Sequence, residues 1–387
     1  MYITQWGFAL TRYYVLSASA AAFILAGLAH GQGLQGKRLV GDYGYWSRTQ
    51  TPPYSSAQIP FRKLTHINHD GVTFNADGSL TVPKGFLEPE LLLKAHAAGV
   101  KVLLLLSGDF TALEALPNAG STSSILAILL QNLQAFITSN CYDGLDIDWE
   151  YPSTSADVQA FHDLMAGLRQ TFPSPTYQLS ADVPPWGGSY DFSGVEPILD
   201  FFNVMMYDCA GPWTDDGQLN SAIFLDPRNP QFYECNPGGS VAEATDIFLS
   251  EVNIPPAKLN MGTPFYGYLY TNVTELYGPC NPCNGQTVLS AAYGTFLKQR
   301  INQNGWQTFY DMYSLVPYML RTDGQPGYIT YDDTFSTYTR IWYSVWQRGL
   351  GGSFMWSIDQ DYDGHSQDLL VAMYQATLNQ PLNVPSQ

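Results

Sequence analysis

The chain has 387 residues and carries 34 acidic against 17 basic residues, which gives a formal net charge of −17. Such an excess of negative charge argues against nucleic acid or an anionic membrane surface as a partner, because both would repel it. Aromatic residues make up 14% of the chain, an excess that suits a surface that stacks on sugar rings, although most of them must form the core.

The N-terminus is typical of a secretory signal. Arg12 precedes an apolar stretch over 15–28, and Ala29-His30-Gly31 supplies the small residues that signal peptidase requires. The apolar stretch is shorter than a membrane-spanning helix, so we expect cleavage rather than a signal anchor. Residues 1–31 are therefore predicted to be removed, leaving 32–387 as a secreted, extracellular protein that has no membrane contact.

Five cysteines in a secreted chain predict up to two disulfides and one free thiol. Cys280 and Cys283 share a Cys-Asn-Pro-Cys turn and are close enough to bridge locally. Cys209 and Cys235 are candidates to close one long loop, which leaves Cys141 as the predicted free thiol. The sequon Asn272-Val273-Thr274 is a glycosylation candidate. Zinc binding is disfavoured because no histidine lies at ligand spacing.

Short apolar runs alternate with amphipathic stretches along most of the chain. Three helices are predicted over 89–98, ending before Gly99, over 122–139 and over 155–171. Eight strands are predicted over 38–43, 64–69, 101–106, 143–150, 177–183, 201–207, 258–265 and 352–356.

Eight strand–helix units without a nucleotide-binding glycine loop favour a (β/α)8 TIM barrel over a doubly wound sheet. About 85 residues separate the last two strands, too many for one crossover helix. We therefore predict a small α+β insertion over about 268–330. In such barrels the chemistry lies at the C-terminal ends of the strands.

The run Asp143-Gly144-Leu145-Asp146-Ile147-Asp148-Trp149-Glu150 is the strongest functional signal. Alternate side chains of a strand point to opposite faces, so Asp146, Asp148 and Glu150 are predicted to share one face. Glu150, at the end of the strand, would lie nearest to a substrate. Buried carboxylates cost stability unless they are paired or neutralised, so such a column indicates chemistry rather than a solvated edge. Asp143 has the other parity and is expected to support the start of the strand.

Several segments resemble the glycoside hydrolases of family 18, and within that family the chitinases. The acidic run matches the D-x-x-D-x-D-x-E signature, and Met205-Met206-Tyr207-Asp208 is similar to the family's Met-x-Tyr-Asp. Further similar segments, spread from about 38 to 375, are Val40-Gly41-Asp42-Tyr43 with Trp46, Gly262-Thr263-Pro264-Phe265-Tyr266-Gly267, Tyr331-Asp332-Asp333, and the run from Gly351 to Asp359.

The resemblance implies hydrolysis of β-1,4-linked N-acetylglucosamine by a substrate-assisted retaining mechanism, one of the exceptions to the two-carboxylate scheme. Glu150 would be the general acid, Asp148 would orient the substrate's acetamido group, and Asp146 would share a proton with Asp148. Tyr207 would bind the acetamido oxygen, and Trp356 would form the floor under the sugar. The weaker candidates for substrate contacts are Met205, Asp208, Tyr43, Trp46 and Trp213.

The partner implied is chitin or a chitooligosaccharide, bound by a monomer without a cofactor or a metal. Structural readings stay open: Tyr207 and Asp208 as caps of their strand, Trp356 as barrel core, and Trp46 and Trp213 as packing residues. His66 and His69 are expected to be core histidines rather than ligands.

Two departures from the family pattern concern the base of the sugar pocket. Ser107-Gly108-Asp109-Phe110 replaces Ser-x-Gly-Gly, and His69-Asp70-Gly71-Val72 stands where an aromatic residue is usual. Two other functions remain, a chitin-binding lectin on the same barrel and an endo-β-N-acetylglucosaminidase that acts on N-glycans. Fold alone does not choose among them. Because Glu150 and both aspartates are present, chitinase is the preferred interpretation.

Overall fold

The predicted TIM barrel is present in a computed structural model that describes residues 34–113, 125–229, 235 and 237–382. Eight parallel strands form a closed barrel: β1 (Arg38–Gly44), β2 (His66–Phe74), β4 (Lys101–Ser107), β5 (Gly144–Asp148), β6 (Gln178–Val183), β7 (Phe201–Val204), β8 (Leu259–Pro264) and β14 (Gly352–Trp356). The barrel closes because β1 pairs with both β14 and β2. The short β3 (Leu80–Thr81) pairs antiparallel with the end of β2.

Helices connect the strands. In the described part of the chain they are α1 (Pro89–Ala97), α2 (Ile125–Asn140), α3 (Ser155–Thr171), α4 (Phe192–Val195), α5 (Val241–Asp246), α6 (Thr334–Trp342) and α7 (Asp368–Thr377). The bounds of α3 agree with the sequence prediction, since Thr154 and Asp157 form a capping box at its start. Residues 122–124, where the second helix was predicted to begin, lie outside the described residues, as does the predicted signal over 1–31.

Alternation along the strands divides the barrel into an outer core and a lumen. Leu145 and Ile147 of β5 are buried in the layer that faces the helices. Val40, Leu103 and Phe354 belong to a separate cluster inside the barrel. Side chains of one parity therefore pack the barrel against its helices, and those of the other parity point to the lumen where the acids of β5 lie.

The insertion between the last two barrel strands is confirmed as a five-stranded antiparallel sheet. Its strands are β9 (Tyr266–Tyr270), β10 (Val288–Ala292), β11 (Trp306–Asp311), β12 (Val316–Arg321) and β13 (Tyr328–Thr330), in the order β10-β9-β13-β12-β11. The helical component is confined to one π turn (Tyr293–Leu297) and a short 3-10 helix (Lys298–Arg300). The sheet begins at Tyr266, two residues before the predicted start of the insertion.

Both predicted disulfides are present, Cys209–Cys235 and Cys280–Cys283, and Cys141 is a free, exposed thiol. Within the described ranges, every helix is too short or too polar to cross a bilayer. His66 and His69 are core residues, as expected: His66 bonds to Thr65 and Gln178, and His69 bonds to the Tyr142 hydroxyl at 2.8 Å.

Candidate active site

The three acids of the β5 segment follow one another from the barrel lumen to its mouth. Asp146 is fully buried, Asp148 is half-buried, and Glu150 is exposed. The intervening side chains, Leu145, Ile147 and Trp149, are all buried in the outer core, as the alternation predicted. The strand itself ends at Asp148, so the prediction that Glu150 is the last residue of the strand was wrong. Glu150 lies two positions beyond the ladder, where the chain is free to present its carboxyl group to the cleft.

Asp146 is held by hydrogen-bond donors from three neighbouring strands. Asn68 on β2 donates at 2.8 Å, Asn203 on β7 donates at 3.4 Å, and the Ser180 hydroxyl on β6 is also bonded to it. Burial raises the pKa of Asp146 to about 6, and the hydrogen bonds from Ser180, Asp182 and Asn203 oppose that rise. These donors favour the ionised carboxylate although its side chain is completely buried.

Burial favours the protonated form of Asp148. Burial raises its pKa well above the ordinary value, and the charges of Glu150, Asp146 and Asp70 raise it further. The interaction between the two carboxyl groups raises the pKa of Asp148 and lowers that of Glu150. The sharing of a proton between Asp146 and Asp148 stays a prediction, and the negative charge of Asp146 is one of the causes that raise the pKa of Asp148.

Part of the Glu150 side chain is exposed, but the surrounding protein desolvates its carboxyl group. This desolvation is the main cause that raises the pKa of Glu150, and the charge of Asp208 adds to it. Hydrogen bonds from Tyr151 and Asp148 act in the opposite direction. A carboxylic acid with a raised pKa at the open end of a barrel is suited to hand a proton to a leaving group.

Three further acids of the lumen were missed by the sequence analysis. Asp42 on β1, Asp70 on β2 and Asp182 on β6 are all less than 8% exposed. Asp182 lies directly beside Asp148 in the register of β5 and β6. Burial raises the pKa of each, to about 7 for Asp70 and well above the ordinary value for Asp42 and Asp182. Each is the only acid in its strand, so it is recognised as functional only when the barrel brings the strands together.

Asp143 has the structural role that its parity predicted. Its carboxylate accepts a hydrogen bond from the backbone N–H of Val102 at 2.8 Å and pairs with His96 at 2.9 Å. It therefore fixes the start of β5 against β4, away from the lumen.

The segment after β7 brings a second group of candidates to the barrel mouth. The strand ends at Val204, three residues before the predicted end. Met205 is buried, and the buried Tyr207 packs against Tyr266 and Phe354 with ring centroids 6.1 and 6.0 Å apart. Asp208 is exposed and has a φ of 62°. Its carboxylate accepts hydrogen bonds from the hydroxyls of Tyr266 and, at 2.6 Å, Tyr268.

Four indole rings with exposed surface lie at the C-terminal ends of barrel strands or in the segments that follow them. Trp46 and the half-buried Trp356 lie side by side, with ring centroids 6.4 Å apart. Trp213 is 51% exposed and packs edge-on against Tyr268. Trp186, which the sequence analysis did not select, is 38% exposed in the loop after β6 and packs against Tyr151. Flat apolar faces of this kind are suited to stack on pyranose rings.

Tyr43 is not part of this surface, so its selection as a substrate contact was wrong. It is fully buried, and its hydroxyl donates to Glu88 at 2.8 Å. Tyr43 follows Asp42 on β1, and because Asp42 faces the lumen, the next side chain faces the helices. Its ring stacks on His69 in the outer core.

The two segments that depart from the family pattern lie beside the column. β2 has an irregularity between His69 and Val72, where Gly71 adopts a φ of 139°. A Cβ at Gly71 would lie 2.4 Å from the Tyr45 ring, so the bend requires glycine. The bend leaves Asp70 in the lumen, close enough to Asp148 for its charge to raise the pKa of Asp148.

In the described residues, no group of three or more His, Cys, Asp or Glu side chains has the geometry of a metal site.

A sequence model of the family described as "Glycosyl hydrolases family 18" matches residues 38–361. The chain belongs to family 18 of the glycosyl hydrolases. The family 18 resemblance stated from the motifs is thereby confirmed, and so is its TIM-barrel fold. The match extends from β1 to the residues after β14, so it includes the whole barrel together with the insertion.

Several chitinases are similar to this chain over most of their length. Chitinase B of Serratia marcescens is 26% identical, with 81% of this chain and 76% of the relative covered. The class V chitinase of Arabidopsis thaliana is 28% identical, with 68% and 70% covered. Among solved structures, the group IV chitinase of Ostrinia furnacalis in complex with allosamidin has a TM-score of 0.78 at 24% identity, with 89% of this chain and 99% of that chain covered. The structural likeness supports the fold.

Proposed function

We propose that this protein is a secreted chitinase, which hydrolyses β-1,4-linked N-acetylglucosamine in polymers or oligomers by a substrate-assisted retaining mechanism. The observation that carries the proposal is the pairing of Asp148 and Glu150 at the barrel mouth. The two carboxyl groups act on each other's pKa, and burial raises the pKa of both. A protonated acid is thus available beside a second acid, on a face open to the cleft.

In the proposed first step, Glu150 gives its proton to the glycosidic oxygen of the leaving sugar. The carbonyl oxygen of the substrate's own 2-acetamido group attacks the anomeric carbon, and the bond to the leaving oxygen breaks. An oxazolinium ion forms, whose positive charge lies close to Asp148 and, below it, Asp146. The negative charge held on this pair stabilises the cation.

In the second step, Glu150, now ionised, accepts a proton from an incoming water molecule. The water attacks the anomeric carbon from the side that the leaving group vacated, the oxazolinium ring reopens, and Glu150 regains its proton. The anomeric configuration is retained, because the carbon is inverted twice. In this proposal Tyr207, at the edge of the lumen, binds the acetamido oxygen, and Asp148 binds the acetamido N–H.

The names of relatives support the substrate. The Serratia marcescens and Arabidopsis thaliana relatives are both named chitinases. Solved structures of similar fold contain allosamidin in the Ostrinia furnacalis enzyme and NAG4 in a class V chitinase of Nicotiana tobaccum. The exposed rings of Trp46, Trp213 and Trp186 provide a surface for several consecutive sugars. Secretion is supported by the two disulfides, which persist in oxidising compartments.

The proposal is tested by incubating the purified protein with N-acetylchitohexaose and following the products by ¹H NMR. We expect shorter chitooligosaccharides whose new reducing ends are initially β-anomers. Initial α-anomers would contradict the retaining mechanism. Binding of the hexasaccharide without cleavage would indicate a lectin. A parallel assay on a glycoprotein with high-mannose N-glycans detects the third function, since release of the glycan without chitohexaose cleavage would indicate an endo-β-N-acetylglucosaminidase.

A further inference from the structure

A line of hydrogen bonds crosses the barrel from Arg38 to Asp146. Arg38 Nε donates to Asn260 Oδ1 at 2.9 Å, and Asn260 Nδ2 donates to Asn203 Oδ1 at 2.9 Å. Asn203 Nδ2 then donates to Asp146 Oδ1 at 3.4 Å. All three bonds run in the same direction, so each donor points toward Asp146. We call Arg38, Asn260 and Asn203 the amide line.

The strand register explains how the amide line spans the sheet. Asn203 and Asn260 are direct neighbours on β7 and β8. Asn260 is level with Gly352 on β14, and Gly352 is level with Arg38 on β1. A Cβ at Gly352 would lie 2.8 Å from Asn260 Oδ1 and 2.7 Å from the Arg38 Cβ. The missing side chain at Gly352 therefore lets Arg38 reach across one strand to Asn260.

The direction of the amide line gives it an electrostatic effect. Both amides are completely buried, so each needs its hydrogen bonds to be satisfied. Aligned hydrogen bonds polarise one another, and a cation at the donor end strengthens the partial positive charge at the other end. Burial lowers the pKa of Arg38 to about 10, which leaves it a cation at neutral pH. The positive charge of Arg38, which acts through the two aligned amides, therefore favours the ionised form of Asp146.

Asp146 needs such support because acidic groups crowd around it. The titratable and charged side chains of the neighbouring elements are Asp42 on β1, Asp70 on β2, Asp148 and Glu150 on the β5 segment, Asp182 on β6, and Tyr207 with Asp208 after β7. A negative charge on any of these acids opposes the ionisation of Asp146. The neutral donors Asn68 and Ser180 and the amide line favour it.

We propose that Asn203 and Asn260 are positioning residues for the hydrolysis, because the amide line keeps Asp146 ionised beneath the protonated Asp148. This inference rests on the proposed chitinase function. In that mechanism, the negative charge of Asp146 stabilises the oxazolinium ion and holds the proton on Asp148. Without the amide line, Asp146 binds a proton at a higher pH, and the cation loses part of its stabilisation.

The test is the pH dependence of kcat on a fluorogenic chitobioside for the wild type and the Asn260→Leu variant. Leucine has a similar size and breaks the amide line between Arg38 and Asn203. We expect the acidic limb of the profile to move to higher pH by about half a unit to one unit, because a lost donor raises the pKa of a carboxyl group. At pH 4.5 kcat should fall by about three- to tenfold relative to the wild type. On the plateau, kcat should change by less than about threefold.

Thr263→Val is the matched control. Thr263 is on the same strand, is completely buried, and its hydroxyl has no hydrogen-bond partner in the described structure. The control changes a buried polar group on β8 without touching the amide line, so its acidic limb should coincide with that of the wild type. If both variants lose activity equally at every pH, the role of Asn260 is structural and the proposal is overturned.

Asn260→Asp is the second test variant, used if the melting curve shows that the leucine variant does not fold. This variant is isosteric and keeps an acceptor for Arg38, but its ionised carboxylate cannot donate to Asn203. The same upward move of the acidic limb is expected, and an unchanged limb overturns the proposal. An inactive wild type would instead refute the chitinase function, so the two failures are distinguishable.

Discussion

Glu150 and Asp208 are electrostatically coupled across the mouth of the barrel. Burial is the first cause that raises the pKa of Glu150, and the charge of Asp208 raises it further. Asp208 comes from the segment after β7 and is fixed by the hydroxyls of Tyr266 and Tyr268. The acid on one strand is therefore tuned by a carboxylate that the insertion holds in place.

We predict that the Asp208→Asn variant moves the alkaline limb of kcat/KM to lower pH. Glu150 must be protonated to act, so the rate falls as the pH rises through its pKa. Removing the negative charge lowers that pKa, so the alkaline limb moves to lower pH. Asparagine keeps an acceptor oxygen and tolerates the positive φ of this position. The profile is measured on a chitobioside; an alkaline limb that stays in place would mean that burial alone sets the pKa of Glu150.

We predict that Glu150→Gln lowers kcat by about 10²- to 10⁴-fold, the usual contribution of a general acid. KM should change little, because the amide has the same shape and the sugar-stacking surface is intact. Glu275→Gln, at an exposed position of the insertion, is the control and should behave as the wild type. A glutamine variant that keeps a tenth of the activity would show that another group supplies the proton.

The acid column could be predicted because strand alternation is a local property. Leu145 and Ile147, which alternate with Asp146 and Asp148, fix the parity of β5 without any knowledge of the fold. The bounds of α3 could also be predicted from nearby residues, because Thr154 and Asp157 form the capping box at its start. The end of β7 could not be predicted in this way. Nothing in the run from Phe201 distinguishes the residues that pair with neighbouring strands from the extended residues after Val204.

The rest of the site depends on barrel closure. Asp42 and Asp182 are single acids in separate strands. The pairing of β5 with β6 places Asp182 beside Asp148, and only the closed sheet brings Asp42 close to the β5 acids. Tyr43 was placed in the cleft because it belongs to a family motif, although its parity relative to Asp42 puts it in the outer core. Trp186 lies in a loop, where no periodicity indicates the direction of a side chain.

The buried acids predict a fold that is more stable at mildly acidic than at neutral pH. Burial raises the pKa of Asp70 from its ordinary 3.8 to about 7. Between these values the folded state binds more protons than the unfolded state, so stability falls as the pH rises through this range. At neutral pH the loss from this one carboxyl group amounts to at most about 4 kcal/mol.

The Asp70→Asn variant should therefore unfold at a higher temperature than the wild type at pH 8, and its melting temperature should depend less on pH between 5 and 8. Calorimetric melting curves provide the measurement. Asp77→Asn is the control, because Asp77 is exposed and hydrogen bonds from Ser79 lower its pKa. An equal pH dependence in the wild type and the Asp70→Asn variant would show that Asp70 titrates normally in the folded state.

The two disulfides are predicted to contribute unequally to stability. Cys209–Cys235 closes a loop with a sequence separation of 26, whereas Cys280–Cys283 has a separation of 3. Because each disulfide lowers the entropy of the unfolded chain, the first is expected to add about 3.5 kcal/mol and the second about 1.6 kcal/mol to the free energy of unfolding. For each disulfide, a variant with both cysteines replaced by serine is compared with the wild type by urea unfolding. The curves are analysed with the same slope m, the dependence of the free energy of unfolding on urea concentration. Equal losses would indicate that the native contacts of the cysteines, rather than loop closure, determine the effect.

Trp213 is predicted to bind sugars remote from the bond that is cleaved. Its ring is 51% exposed, is supported edge-on by Tyr268, and lies in the loop that follows Asp208. Because aromatic contacts contribute about 0.5–1.5 kcal/mol, Trp213→Ala should raise KM for chitohexaose by roughly two- to twelvefold. On a short aryl chitobioside the change should be small, since fewer sugars reach the ring. Leu93→Ala, at an exposed position of α1, controls for the loss of surface apolar area. Equal changes in KM on both substrates would instead place Trp213 next to the catalytic acids.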